Sequence, residues 1–475
     1  MGLSTIAQRL AAFQASQEGA AALPALDSAM IEAAGGDATL RAFAAPVAGW
    51  ANAPAGVSAP IVGGRYVDRL PRPAGLRRLA HFPSVADMNS ASAYRADVID
   101  ADGSLYGDTV CRATITNTSR YLAPAAPLAT PVNVQGGGSL RLVFRTVLNL
   151  TTAIDRFAIE LHSAGSPAAV TANYHTTSPT NLAAIKSVVT SPNGMGAWQT
   201  LSVALPYFTP VGTGADLGAI AFARLFLRAS SGNTFSIDVD GIDFAPNSRT
   251  KAKCFISFDD AHLLAYAARQ MAKYGFPGVF YPGRTAFDIG SAGRLSVENV
   301  KLMHDIRHWQ VGAQALLSEQ LADFQALGPV GRTQNMAKQR GIHAALGLTG
   351  GVDGSWHTTV THKDLDVYEA IRQHYRTMRM NLVAAGGGVP LFFGETLPIG
   401  DPMRLRAMAL SGTAERNQAH VDDGIANKGL VGFTVHNDTA AAGAGRIAFD
   451  TLLAYLDSQR AAIDVLTLDQ ILAGL

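Results

Sequence analysis

Cys254-Phe-Ile-Ser-Phe-Asp-Asp-Ala-His262 is the stretch on which the reading of the fold turns. With Ala252 and Lys253 it begins as a β-run, ends in two carboxylates, and passes at once into a helical pattern over 262–274 that stops at Gly275. A strand running directly into a helix puts Asp259 and Asp260 at the carboxyl mouth of a sheet, where α/β folds keep their sites. Asp260 has two open readings, as the N-cap of that helix or as part of a charged site. Adjacent carboxylates repel, so the second reading calls for a metal or a cationic side chain nearby.

Downstream, Gly278-Val-Phe-Tyr-Pro is a second β-run and 296–305 a second helical pattern. The alternation continues to the end, which predicts parallel βα units over 248–475, as a barrel or an open sheet. Nine of the twelve histidines lie in this part. Histidine is the side chain most used for acid–base work and metal binding, so chemistry is sought there.

Upstream, 71–247 is built of short alternating runs. Leu140, Leu142 and Phe144 form one, Phe157, Ile159 and Leu161 another, and Phe235, Ile237 and Val239 a third. Turns at Gly136-Gly-Gly, Ser191-Pro-Asn-Gly and Ser230-Ser-Gly-Asn separate them, and the pattern predicts an antiparallel β-sandwich of jelly-roll type. Its closing run, from Phe235 to Pro246, is similar to the last strand of carbohydrate-binding sandwich modules. Asp238, Asp240 and Asp243 fit either a solvated strand face or a structural calcium site. Residues 1–70 begin with a short amphipathic pattern at Ile6, Leu10 and Phe13 behind Ser4 and then break at Gly35-Gly36 and at Pro46, Pro54 and Pro60. The expectation is a docking arm, seated on another protein, on copies of itself, or on the next domain.

Hydrophobic residues make up 48% and charged residues 16%, with 38 basic against 37 acidic side chains and a formal charge of +1. That balance argues against whole-chain disorder and against a general attraction to nucleic acid or anionic lipid. Cys111 and Cys254 stand far apart without a CxxC spacing, and both are expected as buried thiols. The start lacks the basic and apolar regions of a secretory signal, and no stretch of about 18 apolar residues occurs, so a product made in the cytoplasm without a membrane span is expected.

Residues 250–475 resemble the polysaccharide deacetylases of the NodB-homology type. Ser257-Phe-Asp-Asp is similar to their opening strand, and Met271-Ala-Lys-Tyr-Gly-Phe-Pro-Gly-Val-Phe-Tyr-Pro-Gly follows at matching distance. Val300-Lys-Leu-Met-His-Asp-Ile-Arg-His-Trp-Gln-Val-Gly is similar to the second block, Gly429-Leu-Val-Gly-Phe-Thr-Val-His-Asn-Asp to the strand delivering the catalytic histidine, and Ile463-Asp-Val-Leu-Thr-Leu-Asp-Gln-Ile-Leu to the usual tail. The resemblance implies a (β/α) barrel in which Asp259 is the general base, Asp260 binds a divalent metal such as zinc, and His436 protonates the leaving group. Gln314 and Ser318 stand where the family has its two metal histidines, and Gly347-Leu-Thr-Gly-Gly stands in place of the Arg-x-Pro-Tyr block. His262 is then the nearest further ligand, with His343, His357 and His362 in loops of the same part. Trp309, Trp356 and Gln314 are candidates for contact with a sugar.

Two functions follow as expectations. One is metal-assisted deacetylation of a bacterial surface polysaccharide. The other is a glycan-binding receptor using a degenerate deacetylase fold without catalysis. An extracellular target, no secretion signal, a sandwich and an N-terminal arm together resemble a phage tail spike or fibre in outline. That implies a virion tail location, contacts with other tail or baseplate proteins through the arm, and a homo-oligomer, a trimer. The rival setting is a bacterial deacetylase.

Overall fold

The computed structural model describes residues 74–81, 98–100, 110–116, 119–146, 154–167, 169–170, 174–177, 198–247, 249–259, 265–281, 297–305, 308–314, 348, 353–355, 377–382, 397, 399, 405–410, 413–436 and 443–473. Residues 1–70, expected to form a docking arm, lie outside them, as do Ser191-Pro-Asn-Gly, Asp260, His262, Ser318, His343, Trp356, His357 and His362.

The first described unit is all-β. Its strands are β1 (Arg77–His81), β2 (Val98–Asp100), β3 (Val110–Thr116), β4 (Ser119–Leu122), β5 (Gly138–Thr146), β6 (Ile154–His162), β7 (Gly165–Ser166), β8 (Ala169–Val170), β9 (Tyr174–Thr177), β10 (Trp198–Ala204), β11 (Phe208–Val211), β12 (Phe222–Ala229) and β13 (Thr234–Pro246). One antiparallel sheet runs β10-β5-β13-β3-β2, with β1 on the second half of β13, and another runs β11-β9-β6-β12-β4. Both sheets bury alternate residues in one apolar core. Leu140, Leu142 and Phe144 enter it from the first sheet, Ile159, Leu161 and Leu225 from the second, and Phe144 and Phe157 meet there at 6.4 Å between ring centroids. The period-2 runs in the sequence are therefore the core-facing positions. Gly138, at φ 140°, opens β5 where a Cβ would lie 2.3 Å from the Ala245 carbonyl oxygen, so only glycine fits that turn.

Asp238, Asp240 and Asp243 correct the expectation of a solvated strand face, because all three are fully buried. Arginines on both neighbouring strands hold them. Asp238 lies in register with Arg112 and Arg145, accepting from Arg112 Nε at 2.6 Å and Arg145 Nη2 at 2.5 Å. Asp243 lies in register with Arg78 and Arg141, with Arg78 Nε at 2.7 Å, and Arg78 also pairs with Asp240 at 3.2 Å. Charge-assisted forks offset the cost of burying these carboxylates, and guanidinium groups occupy the space a calcium reading would need.

The second unit alternates strand and helix: β14 (Ala252–Asp259), α1 (Ala265–Lys273), β15 (Val279–Tyr281), α2 (Val297–Asp305), β16 (Gln310–Val311), β17 (Ala313–Gln314), β18 (Asp353–Ser355), β19 (Thr377–Leu382), β20 (Leu405–Ala409), α3 (Ala414–Asn427), β21 (Leu430–His436), α4 (Gly443–Ser458), β22 (Ile463–Val465) and α5 (Leu468–Ala473). The sheet order is β16-β15-β14-β21-β20-β19-β18-β17, every pair parallel, with β22 on the start of β14. Its two end strands, β16 and β17, are consecutive in the chain and separated only by Gly312, whose N–H donates to the Phe280 carbonyl at 2.8 Å. The sheet therefore curls until its ends meet, giving a barrel-like ring.

Alternation along β14 sorts the barrel into an outside and an inside. Cys254, Ile256 and Phe258 pack with Met271, Val300, Phe449 and Leu452 of the helices, whereas Phe255 packs with Val279, Tyr281, Leu405 and Leu430 from the other strands. Leu468 and Ile471 of α5 join that inner cluster, behind a capping box in which Thr467 Oγ1 accepts from Gln470 N and Gln470 Oε1 accepts from Thr467 N. The two units touch where Tyr207 donates to Asp423 of α3 and Arg406 of β20 donates to the Thr200 carbonyl. Among the described residues no helix is long and apolar enough to cross a membrane. Cys111 and Cys254 are buried free thiols, and burial pushes the Cys254 thiol up.

Candidate functional site at the barrel mouth

The backbone register brings two of the residues singled out in the sequence together. Asp259, the last residue of β14, pairs with His436, the last of β21, on one side and with Tyr281, the last of β15, on the other. Neighbouring strands lie about 4.8 Å apart, so three consecutive strand ends form one rim. By alternation, positions 259 and 436 belong with Phe255 and Leu430 to the inner face.

Just below that rim the inner wall is polar. Ser257 Oγ donates to the Phe433 carbonyl at 2.8 Å, closing a hydroxyl that would otherwise be buried without a partner. Arg379 on β19 is fully buried, donates through Nη1 to Thr434 Oγ1, and has its Cζ 5.2 Å from the centroid of the equally buried Tyr281 ring. Thr434 precedes His436 by two residues, so the guanidinium sits one inward-facing step beneath the rim. Arg379, Tyr281 and Thr434 were not singled out from the sequence. The available signal was an arginine at an alternating position inside a strand that must face the barrel on one side.

The other candidates fall elsewhere. Trp309 is 2% exposed on the helix side of the sheet, its ring stacked on Phe258 at 5.2 Å and so close over Gly278 that a Cβ there would lie 2.7 Å from it. It is core, and its ring is not a platform at the mouth. Gln314 ends β17, in register with Ser355. Asp260, His262 and Trp356 lie outside the described residues. Among the described residues no group of three or more His, Cys, Asp or Glu side chains could hold a metal ion, so they do not supply a metal shell by themselves.

No family model and no curated protein matches this chain. Solved structures similar to it include the Xyl-CE4 domain of a multidomain xylanase from the hindgut metagenome of Trinervitermes trinervoides, at 9% identity and a TM-score of 0.31, covering 47% of this chain and 91% of that one. A family 4 carbohydrate esterase from Streptomyces lividans aligns at 10% identity and a TM-score of 0.30 over 45% of this chain and 92% of its own. The peptidoglycan deacetylase PdaC from Bacillus subtilis aligns at 13% identity and a TM-score of 0.29 over 47% and 91%. These neighbours are matched over about half of the chain, and at such scores they carry no statement about activity.

Proposed function

We propose that the barrel mouth hydrolyses acetyl groups on a bacterial surface polysaccharide, with Asp259 as general base and His436 as general acid. The observation supporting this is their register pairing at the carboxyl ends of adjacent parallel strands. Asp259 takes a proton from water as the water oxygen bonds to the acetyl carbonyl carbon. His436 gives a proton to the departing amine or alcohol as its bond to that carbon breaks, and acetate leaves. A divalent metal on Asp260 and His262 is a separable part of the proposal, and no step above runs through it.

The test measures acetate released from a panel of acetylated polysaccharides by the full chain and by Asp259→Asn and His436→Asn, with elemental analysis of each protein. Release that falls at least about 100-fold in both variants supports the assignment. Release unchanged in either refutes the role of that residue. A second reading is favoured by Gln314 and Ser318 standing in place of the family's histidines: a glycan-binding receptor without catalysis. Glycan binding with no acetate released from the panel selects it.

The antiparallel unit belongs to the same proposal as a jelly roll. Its support is the strand order β3-β13-β5-β10 in one sheet and β4-β12-β6-β9 in the other. The proposed setting is a trimeric virion tail protein attached through 1–70 to tail or baseplate proteins, and its support is the sequence pattern of that arm. Removing 1–58 leaves acetate release intact on this reading and abolishes assembly.

A further inference from the structure

Two helices begin side by side at the mouth end of the barrel. In parallel βα units each helix starts at the carboxyl ends of the strands, so the first turn of α1, after β14, and that of α4, after β21, stand at the same end as Asp259 and His436. Helical side chains tilt toward the helix N-terminus, so those of the first turns lean toward the rim. Tyr266 and Arg446 belong to these turns.

Together with Asp450 they form an ordered chain. Tyr266 Oη donates to Asp450 Oδ2 at 2.6 Å and accepts from Arg446 Nε at 2.9 Å, and Arg446 Cζ lies 4.5 Å from the centroid of the Tyr266 ring. Partial burial, and next the bond to Asp450, hold the Tyr266 phenol above its ordinary pKa against an opposing effect of Arg446, so it stays a donor. An exposed arginine ordinarily samples many rotamers, and fixing one weakens whatever bond it makes. Arg446 is fixed before any ligand arrives.

The guanidinium is held from one side. Among the described residues Nη1 and Nη2 make no hydrogen bond, and Arg446 forms no ion pair with Asp450 or another carboxylate. Arg446 is exposed, and Ile447 beside it, at 70%, is the most exposed large hydrophobic side chain among the described residues. An open fork edge thus adjoins an open apolar surface.

The charges select the ligand class. Within one turn of Tyr266 and Arg446 the two helices carry Arg269, Arg446 and Asp450. Both arginines are exposed, whereas Asp450 is half-buried, its Oδ1 enclosed and its Oδ2 taken by Tyr266. The first turn of α3, which packs on α4, adds Glu415 and Arg416, one charge of each sign. Positive charge is therefore in excess, and it lies outermost. Two parallel N–H bonds on a planar fork match a carboxylate, and Ile447 suits the C–H face of a sugar ring.

We propose that Arg446, fixed by Tyr266 and flanked by Ile447, binds the carboxylate of an acidic sugar residue in the polysaccharide whose acetyl group enters the mouth. This names the substrate class for the activity proposed above and rests on that reading for the link between the two places. Binding at Arg446 does not itself require the mouth to act.

The probes are hexasaccharides of galacturonate, of mannuronate, and of alternating glucuronate and N-acetylglucosamine, each beside its methyl ester, which keeps the rings and removes the charge. They are titrated by calorimetry into the full chain at low and at raised salt, with circular dichroism checking that each variant is folded. At least one acid form is expected to bind, its ester roughly tenfold more weakly. Arg446→Gln weakens the acid form roughly tenfold and flattens its salt dependence, whereas Tyr266→Phe, which keeps the charge and loses the hold on it, weakens binding about threefold with the salt dependence kept. The proposal is overturned if no acid form binds, if an ester binds as its acid does, or if folded Arg446→Gln binds as the unaltered chain does. Binding of this kind in a chain that releases no acetate sinks the deacetylase reading and keeps the site. Acetate released equally from acetylated polygalacturonate and from its methyl ester, without any difference in binding, sinks the site and keeps the deacetylase reading.

Discussion

His420 on α3 makes the barrel sensitive to acid. The ring is fully enclosed, Nε2–H donates to the Gly432 carbonyl at 3.3 Å, and its edge meets the Phe433 ring at 5.1 Å. Burial, with a smaller contribution from Arg416, pulls its pKa from 6.5 to about 4, against a partial offset from Gly432. The folded ring is therefore neutral while the unfolded ring protonates below about 6.5, so the stability it contributes is complete above that pH and is lost as pH falls toward 4. A shift from 6.5 to about 4, at about 1.4 kcal/mol per unit, amounts to about 3 kcal/mol. The measurement is urea unfolding of the full chain and of His420→Gln at pH 7, 6, 5 and 4. At pH 7 the variant is the weaker, having lost packing, and that deficit narrows by about 3 kcal/mol on the way to pH 4, because glutamine does not titrate. Carboxylates titrate in both proteins and cancel. A deficit constant from pH 7 to 4 refutes the argument.

Trp309→Ala empties space between Phe258 and Gly278 and costs the barrel about 3–5 kcal/mol, seen as an earlier unfolding transition, while glycan binding by the folded fraction stays unchanged. A loss of glycan binding at unchanged stability would return Trp309 to a surface role. Asp238→Asn leaves Arg112 and Arg145 facing each other across β13 without their shared carboxylate, a cost of about 2–4 kcal/mol given that both guanidinium groups are part-exposed. Calorimetry should show this in the transition of the antiparallel unit; an unmoved transition would mean that solvent already screens the arginines.

What could be read in the sequence was whatever depends on neighbours along the chain. Alternation at Leu140, Leu142 and Phe144 identified core-facing positions because a strand's two faces differ in burial wherever it occurs. Strand ends next to helices located Asp259 and His436 at the mouth, and the register pairs them. What escaped depends on partners far away. The burial of Asp238 and Asp243 is decided by arginines 93–165 residues distant, so the same Asp spacing on an unpartnered strand would face water. Trp309 follows a helix and precedes a short strand, and only the approach of Gly278 makes its pocket. The inward turn of Arg379 and the chain from Asp450 through Tyr266 to Arg446 both require knowing which element lies beside which.

Strand β14 pairs with β21 along one side and with β22 and then β15 along the other, so the middle of the ring is completed by residues 430–436 and 463–465. During synthesis Asp259 is made 177 residues before its register partner His436. At about 5–20 residues per second that interval is roughly 10–35 s, during which one edge of a largely apolar strand has no neighbour. A nascent chain in this state is a template for pairing with another copy of itself. Its yield in a host cell should therefore depend on the rate of translation after β14 and on how long chaperones shield that edge.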